Sequence, residues 1–180
     1  MRIVIATPLY PPDVDAVALY VKELARRFAT MHEVTVLCST RLPEQIENVR
    51  IITTDKRRAL PFRLFASTRA LARAARDADV LYTMNGASVE LPMLLVSFIS
   101  RTPIFFGIAD ADAHERTTHH PFTRLLERAI RARSRATITD FPLQRPEILP
   151  LEPEPTEVLA AYDDSWRTHM TRLSSLFTYA

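Results

Sequence analysis

Cysteine and glycine are the residue types that this sequence has least of, and their scarcity excludes several kinds of site. Cys38 is the only cysteine, which excludes an internal disulfide and a zinc site built on cysteines. Gly86 and Gly107 are the only glycines, against thirteen prolines. The glycine-rich phosphate loops G-x-G-x-x-G and G-x-x-x-x-G-K-[ST] are therefore missing, as is the G-x-S-x-G turn of serine hydrolases.

The sequence also lacks a long hydrophobic run and a strong net charge. Its longest apolar stretch, Val89–Ile99, is interrupted by Glu90 and Pro92 and is too short to cross a bilayer. The first residues lead directly into a strand pattern, without the charged and apolar regions of a secretory signal. The formal net charge of +2 gives no basis for a nucleic-acid partner. We therefore expect a cytoplasmic protein that binds no nucleic acid.

What the sequence does contain is an alternation of short apolar runs and helical patterns. Strands are predicted at Arg2–Ala6, Glu33–Cys38, Val49–Thr53, Asp79–Thr83, Ile104–Ile108 and Ala136–Thr139. Helices are predicted at Val17–Thr30, Phe62–Arg76, Ala87–Ser100 and Pro121–Arg133. Continuously apolar strands are typical of a parallel sheet that is covered on both faces. The pattern predicts an α/β fold with a single Rossmann-like, doubly wound parallel sheet of about six strands in the order 3-2-1-4-5-6.

The chain is expected to divide into three parts. Residues 1–140 form the Rossmann-like domain, and residues 141–155 form a linker whose segment PLQRPEILPLEPEP has five prolines. Residues 156–180 are predicted to form a helix over Thr156–Phe177. The only tryptophan, Trp166, lies on its less polar side, so we expect this helix to pack back on the domain.

Ligands of doubly wound sheets bind beyond the carboxyl ends of the strands, at the switch between strands one and four. This rule places the candidate site among Thr7–Asp15, Met84–Ser88 and Ala109–His120. In the first of these segments, Asp13 and Asp15 precede a helix without any glycine. They suit helix capping, and a direct ligand role is the alternative. Gly86 either permits a sharp turn after strand four or contacts a ligand.

The segment FGIADADAHERTTHH, Phe106–His120, is the densest polar cluster in the sequence. A carboxylate or imidazole at the end of strand five could act as a general base toward a hydroxyl. Metal binding is a weaker alternative, because the spacing is not that of a zinc site, and a solvated polar loop is the third. We expect no metal.

The segment DKRRALPFRLF, Asp55–Phe65, interleaves cations with large apolar residues. Lys56, Arg57, Arg58 and Arg63 could hold the protein at an anionic membrane surface while the apolar side chains enter it. A solvated loop and helix start is the ordinary alternative. Nucleic acid is a weaker one, because no recognised binding module is present.

Three segments resemble the amino-terminal half of glycosyltransferase family 4 enzymes, which have the GT-B fold. They are MRIVIATPLYPPDVDAVALYVKELARRFATMHEVTVLCS, ADVLYTMNGASVELPMLLVSFISRTPIFFGIADADAHER and HHPFTRLLERAIRARSRATIT. In that family the amino-terminal domain holds the acceptor and the carboxyl-terminal domain holds the nucleotide sugar, and a final helix crosses back onto the first domain. The resemblance implies that this chain has the acceptor domain and the crossing helix but no donor-binding domain.

The resemblance carries over to individual positions only in part. The family's glycine pair in the first loop falls on Asp15 and Ala16, and its Ala-Trp-Glu-Arg segment matches Ala113-His114-Glu115-Arg116. The implied substrate-binding residues are Tyr10, Pro12, Asp15, Asn85, Gly86, Asp112 and Glu115, and the implied catalytic residues are Asp110 and His114.

These observations lead to an expected function with stated alternatives. The chain is expected to be half of a split, retaining-type glycosyltransferase, inactive without a donor-binding partner subunit, and to bind a glycan or lipid-linked acceptor. A homodimer is a further possibility. No cofactor is expected, because the nucleotide sugar would bind only with the separate donor domain. The alternatives are a degenerate, non-catalytic relative that binds a glycan, lipid or protein, and a nucleotide-binding module of unrelated function.

Overall fold

A computed structural model of the chain describes residues 1–55, 57, 59–109, 120–143 and 156–179, with the side chains of 156–158 left aside. Its strands are β1 (Arg2–Thr7), β2 (Glu33–Cys38), β3 (Val49–Thr53), β4 (Val80–Met84), β5 (Ile104–Gly107) and β6 (Ala136–Ile138). They form one six-stranded sheet in the order β3-β2-β1-β4-β5-β6, and every neighbouring pair is parallel. The predicted α/β class and strand order are confirmed.

The described helices are α1 (Ala16–Phe28), α2 (Leu60–Arg76), α3 (Ala87–Ser97), α4 (Pro121–Arg133) and α5 (Thr156–Thr178). The predicted bounds differ from these by at most three residues, and the largest difference is at the end of α3. There the last turn tightens, because the amide of Ile99 donates to the carbonyl of Val96, three residues back, at 3.0 Å, although the amide of Ser100 still donates to the same carbonyl at 2.8 Å. Within the described residues, no helix is both long and apolar enough to cross a membrane.

Three of the helices form one layer on the sheet. α3 packs against α2 on one side and against α4 on the other. Their inward side chains join those of alternate strand residues in one core cluster, which includes Leu71 of α2, Met93 of α3 and Ile130 of α4. α1 packs on β1 and β2. Right-handed crossovers place it on the opposite face, because the step from β1 to β2 runs toward the other edge of the sheet.

The parallel register brings the ends of the central strands together. Ala6 of β1 lies opposite Thr83 of β4, and Met84 of β4 lies opposite Gly107 of β5. The segments that follow β1, β4 and β5 therefore begin at the same edge of the sheet, which is the edge where doubly wound domains bind ligands.

By its contacts the chain divides into two compact units, Met1–Ile138 and Thr139–Ala180. The second unit contains α5 and the segment 139–143 before it. The side chains of Asp140 and Arg172 form an ion pair, and the amide of Leu143 donates to Ser165 Oγ at 3.1 Å. The helix predicted over Thr156–Phe177 is present, and its packing on the first unit stays a prediction.

Candidate functional site

The segment between β1 and α1, Pro8–Asp15, is called the opening loop, and it is fixed by hydrogen bonds to the segment after β2. Thr40 Oγ1 donates to the carbonyl oxygen of Tyr10 at 3.1 Å and lies 3.1 Å from Asp13 Oδ2. The amide of Glu44 donates to the carbonyl oxygen of Pro11 at 3.1 Å. The opening loop is therefore a braced wall of the candidate site, and Pro12 is exposed on it.

Asp15 is the N-cap of α1. Its Oδ1 accepts a hydrogen bond from the amide of Val17 at 2.7 Å, and its backbone is extended, as an N-cap requires. A carboxylate at this place occupies one of the free amides of the first turn and complements the helix dipole. Since the same negative charge would repel a phosphate, the geometry favours the capping alternative for Asp15.

Tyr10 does not line an open surface in this structure. Its side chain is completely buried, and its hydroxyl makes no hydrogen bond to any described residue. Burial raises the pKa of the Tyr10 hydroxyl well above its usual value, and the nearby Cys38 and Glu44 raise it further. Contact between Tyr10 and an acceptor stays a prediction, and it would require the surrounding side chains to move.

The turn after β4 contains Asn85 and Gly86, and both are engaged with their surroundings. Asn85 is buried, and its Oδ1 accepts a hydrogen bond from the amide of Ala109 at 3.1 Å, which ties the end of β4 to the segment after β5. Gly86 has φ of +138°, a conformation that L side chains rarely adopt. The turn interpretation of Gly86 is therefore well founded, and a ligand contact stays a prediction.

Glu90 is a residue of this site that was not among those predicted from the sequence. It is buried in the first turns of α3, and its Oε1 accepts a hydrogen bond from the amide of Gly86 at 2.7 Å. A glutamate four residues after a turn glycine resembles the reach-back of a capping box, in which a carboxylate satisfies the amide at the helix start. That spacing, in the segment NGASVE, is the signal that could have identified it.

The predicted catalytic residues Asp110 and His114, and the predicted binding residues Asp112 and Glu115, lie outside the described residues. Their neighbour His120 is described. It is exposed and stands at the N-cap position of α4, where its carbonyl oxygen accepts a hydrogen bond from Thr123 Oγ1 at 3.0 Å. The structure therefore brings together Asp15, Asn85 and Gly86 at the carboxyl edge, and it leaves the proposed acid–base residues untested.

The described part of the site offers hydrogen-bonding groups but no assembled catalytic group. Among the residues that the structure describes, no cluster of three or more histidine, cysteine, aspartate or glutamate side chains could hold a metal ion. Cys38 is buried, as expected for a thiol at the end of an inner strand. What remains at this edge are peptide groups and the half-buried carboxylates of the opening loop, which are suited to binding hydroxyl groups by hydrogen bonds.

A groove also lies at the opposite, amino edge of the sheet, where Arg2, His32 and Asp79 are among the lining residues. It is a wide and shallow depression, and Arg2 is already paired with Asp79 across it. Ligand sites of doubly wound sheets lie at the carboxyl edge. We therefore keep the candidate site at the carboxyl edge.

The cations predicted to face a membrane are only partly described. Arg57 is exposed and Arg63 is half-buried at the start of α2, while Lys56 and Arg58 lie outside the described residues. The apolar residues interleaved with them, Leu60, Phe62 and Phe65, are all exposed.

Comparison with known proteins assigns no family. No family model matches the chain, and no curated protein matches it. Among solved structures, the C-terminal domain of a hydrogenase from Pyrococcus furiosus is similar at 14% sequence identity and a TM-score of 0.36, over 58% of this chain and 89% of that one. A similarity this weak supports no argument about the activity of the chain.

Proposed function

We propose that this chain is the acceptor-binding part of a retaining-type glycosyltransferase and that it transfers sugar only together with a separate donor-binding subunit. The observation that supports this proposal best is the chemistry of the opening loop. It occupies the place where a doubly wound domain would hold a diphosphate, yet a carboxylate caps the helix behind it and the loop has no glycine.

The acceptor would lie against the carboxyl edge, between the opening loop and the turn after β4. Peptide groups there and the remaining lone pairs of the half-buried carboxylates of the loop are matched to sugar hydroxyls, which both donate and accept hydrogen bonds. Asp110 or His114 would take the proton of the reacting hydroxyl as a general base. The donor subunit would supply the positive groups that stabilise the leaving nucleotide.

The first experiment asks whether the isolated chain binds nucleotides. Titration calorimetry with UDP-glucose and with GDP-mannose is expected to show no saturable binding up to millimolar concentration. The matched variants are Asp15→Asn, which keeps the cap oxygen without the charge, and Asp15→Ala. Micromolar binding of either nucleotide by the unmodified chain would overturn the proposal in favour of a nucleotide-binding module.

The second experiment asks for turnover. The chain is mixed with the product of a neighbouring reading frame that encodes a donor-binding half, together with radiolabelled nucleotide sugar and a panel of oligosaccharide and polyprenyl-phosphate acceptors. Transfer is expected from the mixture and from neither protein alone. Asp110→Asn and His114→Gln should abolish transfer without reducing acceptor binding, whereas Asp55→Asn, outside the site, should leave the rate unchanged.

The alternative function is that of a degenerate relative that binds a glycan but performs no transfer. The buried state of Tyr10 favours it, because one side chain expected to line the acceptor site is unavailable in this structure. Acceptor binding by the chain, measured by amide chemical-shift changes in the opening loop and at Gly86, combined with no turnover by any mixture, would establish this alternative.

A further inference from the structure

The outward face of α2 is divided into an apolar start and a basic remainder. Phe62 and Phe65 lie in its first turns, with 69% and 68% of their surfaces exposed. The positions that follow on the same face, at helical spacing from Phe65, are Arg69, Arg73 and Arg76, and all three are exposed. Two exposed phenylalanines on one turn of a helix are not explained by packing inside this domain.

The outward face of α4 has the same division. Phe122 and Leu125 lie in its first turns and are 63% and 67% exposed. Arg124 lies between these two residues in the sequence and Arg128 lies after them, and both are exposed. Arg131 and Arg133 follow in the last turn of the helix. Two helices that are separate in sequence therefore present the same order of apolar and basic groups.

The topology places these two faces in one layer, on either side of α3, with the same orientation. α2 and α4 both pack on α3 in the same layer, and each precedes a parallel strand, so both begin at the carboxyl edge of the sheet. The apolar starts of both helices therefore lie at the carboxyl edge, and the arginines of both lie further back. We name the exposed side chains of Phe62, Phe65, Phe122 and Leu125 the apolar rim.

The exposed charges of these three helices are all positive. Within α2, α3 and α4 there are eight arginines and two glutamates. Both glutamates, Glu90 and Glu127, are buried, so these three helices expose no carboxylate. The whole chain has a net charge of only +2, so the positive charge is concentrated on this layer. An anionic surface is complementary to it.

We propose that the layer of α2, α3 and α4 binds the surface of an anionic lipid bilayer, with the apolar rim inserted at the acyl boundary and the arginines of α2 and α4 among the lipid headgroups. Large apolar side chains next to a basic face are what an interfacial protein surface requires. The arginine stems reach along apolar surface while their charged ends stay at the headgroups. This binding does not depend on the proposed sugar transfer.

The surface proposed to contact the membrane is larger than the segment Asp55–Phe65 alone. The membrane contact predicted from the sequence used one segment, whereas the fold adds the start of α4, which is about sixty residues away in the sequence. A single-stranded nucleic acid is the competing anionic ligand, since its bases can stack on aromatic side chains. The aliphatic side chain of Leu125 cannot stack on a base, but it can insert among acyl chains as the phenylalanines can. All four residues of the apolar rim therefore suit a lipid bilayer, and only three of them suit a nucleic acid.

The test is co-sedimentation of the full chain with vesicles of phosphatidylcholine alone and of phosphatidylcholine with 30% phosphatidylglycerol. Binding is expected only to the anionic vesicles, and it should weaken at high salt because the charges are screened. Phe62→Ser with Phe65→Ser, and separately Phe122→Ser with Leu125→Ser, should each weaken binding by about tenfold or more, in line with the apolar area withdrawn from the membrane.

Two matched controls decide where the surface lies. Phe98 and Ile99 are also large, exposed residues of the same layer, at 63% and 74%, but they follow the end of α3 and lie at the amino edge. Phe98→Ser with Ile99→Ser should therefore weaken vesicle binding much less than either apolar rim variant does, and only through the loss of the ring on which the Arg133 guanidinium lies at 4.2 Å. For charge, Arg69→Gln with Arg73→Gln should weaken binding by about tenfold, since each cation contributes near an anionic surface. Arg50→Gln with Arg101→Gln, outside the three helices, should have a much smaller effect.

Three results would overturn the proposal. The first is equal binding to neutral and anionic vesicles, or no binding to either at low salt. The second is a loss of binding in the Phe98 and Ile99 variant as large as in the apolar rim variants. The third is tighter binding to oligo(dT) or oligo(U) than to anionic vesicles, with the same variants affected. Circular dichroism of each variant establishes that it is folded, and the two rim variants test the same surface independently.

Discussion

Replacing Gly86 with alanine is expected to lower the free energy of unfolding by about 3 kcal/mol, from two separate causes. Gly86 has φ of +138° and ψ of 123°, so an alanine there would be strained whatever space surrounds it. A Cβ atom at this position would also lie 2.9 Å from Pro8 Cγ and 3.2 Å from Pro8 Cβ. Neither contact can relax easily, because the proline ring is rigid.

The magnitude follows from these two terms. A residue held in such a backbone region costs about 1–3 kcal/mol, and an extra methyl group forced into a packed position costs about 1–3 kcal/mol. Their sum is about 2–6 kcal/mol, centred near 4, and some relaxation of the turn brings the expectation to about 3 kcal/mol. With a urea m-value of about 2 kcal/mol/M, the unfolding midpoint should fall by about 1.5 M.

The assay is urea unfolding followed by far-ultraviolet circular dichroism, with Pro8→Ala and the double variant Pro8→Ala, Gly86→Ala as controls. The double variant removes the 2.9 Å contact with Pro8 Cγ but keeps the backbone strain and the contact with Cβ, which alanine retains, so it should recover at most about half of the loss, as a coupling between neighbouring sites. A loss below about 0.5 kcal/mol for Gly86→Ala would refute the reasoning. Complete recovery in the double variant would refute the backbone part of it.

Three further predictions concern the same edge of the sheet and the second unit. Asp15→Ala should lower the unfolding free energy by about 1 kcal/mol, because the amide of Val17 loses its cap, and Asp15→Asn should restore most of it in urea unfolding. Glu90→Ala should lower the free energy of unfolding by about 1–3 kcal/mol in the same assay, because the Gly86 amide loses its acceptor. Glu90→Gln keeps an acceptor oxygen and should lower it less. Equal losses in the two variants would contradict the hydrogen-bond explanation. Burial, with a smaller effect of Arg172, lowers the pKa of His169 to about 4, below its unfolded value of about 6.5. As the pH falls, the unfolded chain therefore binds this proton before the folded chain does. The free energy of unfolding should decrease as the pH drops from about 6.5 to 4. Acid titration of unfolding should show a weaker pH dependence in that window for His169→Gln, and an unchanged profile would contradict the assignment.

The fold could be predicted from local patterns because burial on both faces of a parallel sheet leaves a direct record in the sequence. β2 and β3 have the predicted bounds, and β1, β4, β5 and β6 differ by a residue or two. The strand order followed from the right-handed crossover and the alternation of elements. Among the helices, the ends of α1 and α3 were overestimated, by two and three residues. In α3 the pattern of apolar residues continues through Ile99, whereas the hydrogen bonds of Phe98 and Ile99 reach back only three residues.

The candidate site could be predicted only as a region. The rule for doubly wound sheets places ligands at the carboxyl edge, but it does not say which side chains there are exposed. Tyr10 is a loop residue beside two prolines, and nothing in its neighbours along the chain indicates that the fold buries it completely. Glu90 reads as one charge among apolar residues until the turn brings the Gly86 amide to its carboxylate.

The sequence by itself determined the class of fold, the strand order and the absence of a glycine loop for a diphosphate, because each depends on residue types in local patterns. The tertiary structure decided which exposed groups act together. Phe65 and Leu125 are sixty positions apart in the sequence, and they share one rim only because two helices pack on α3 with the same orientation. Periodicity shows which residues of a helix share a face, but the neighbours of that face depend on how the chain folds around the sheet.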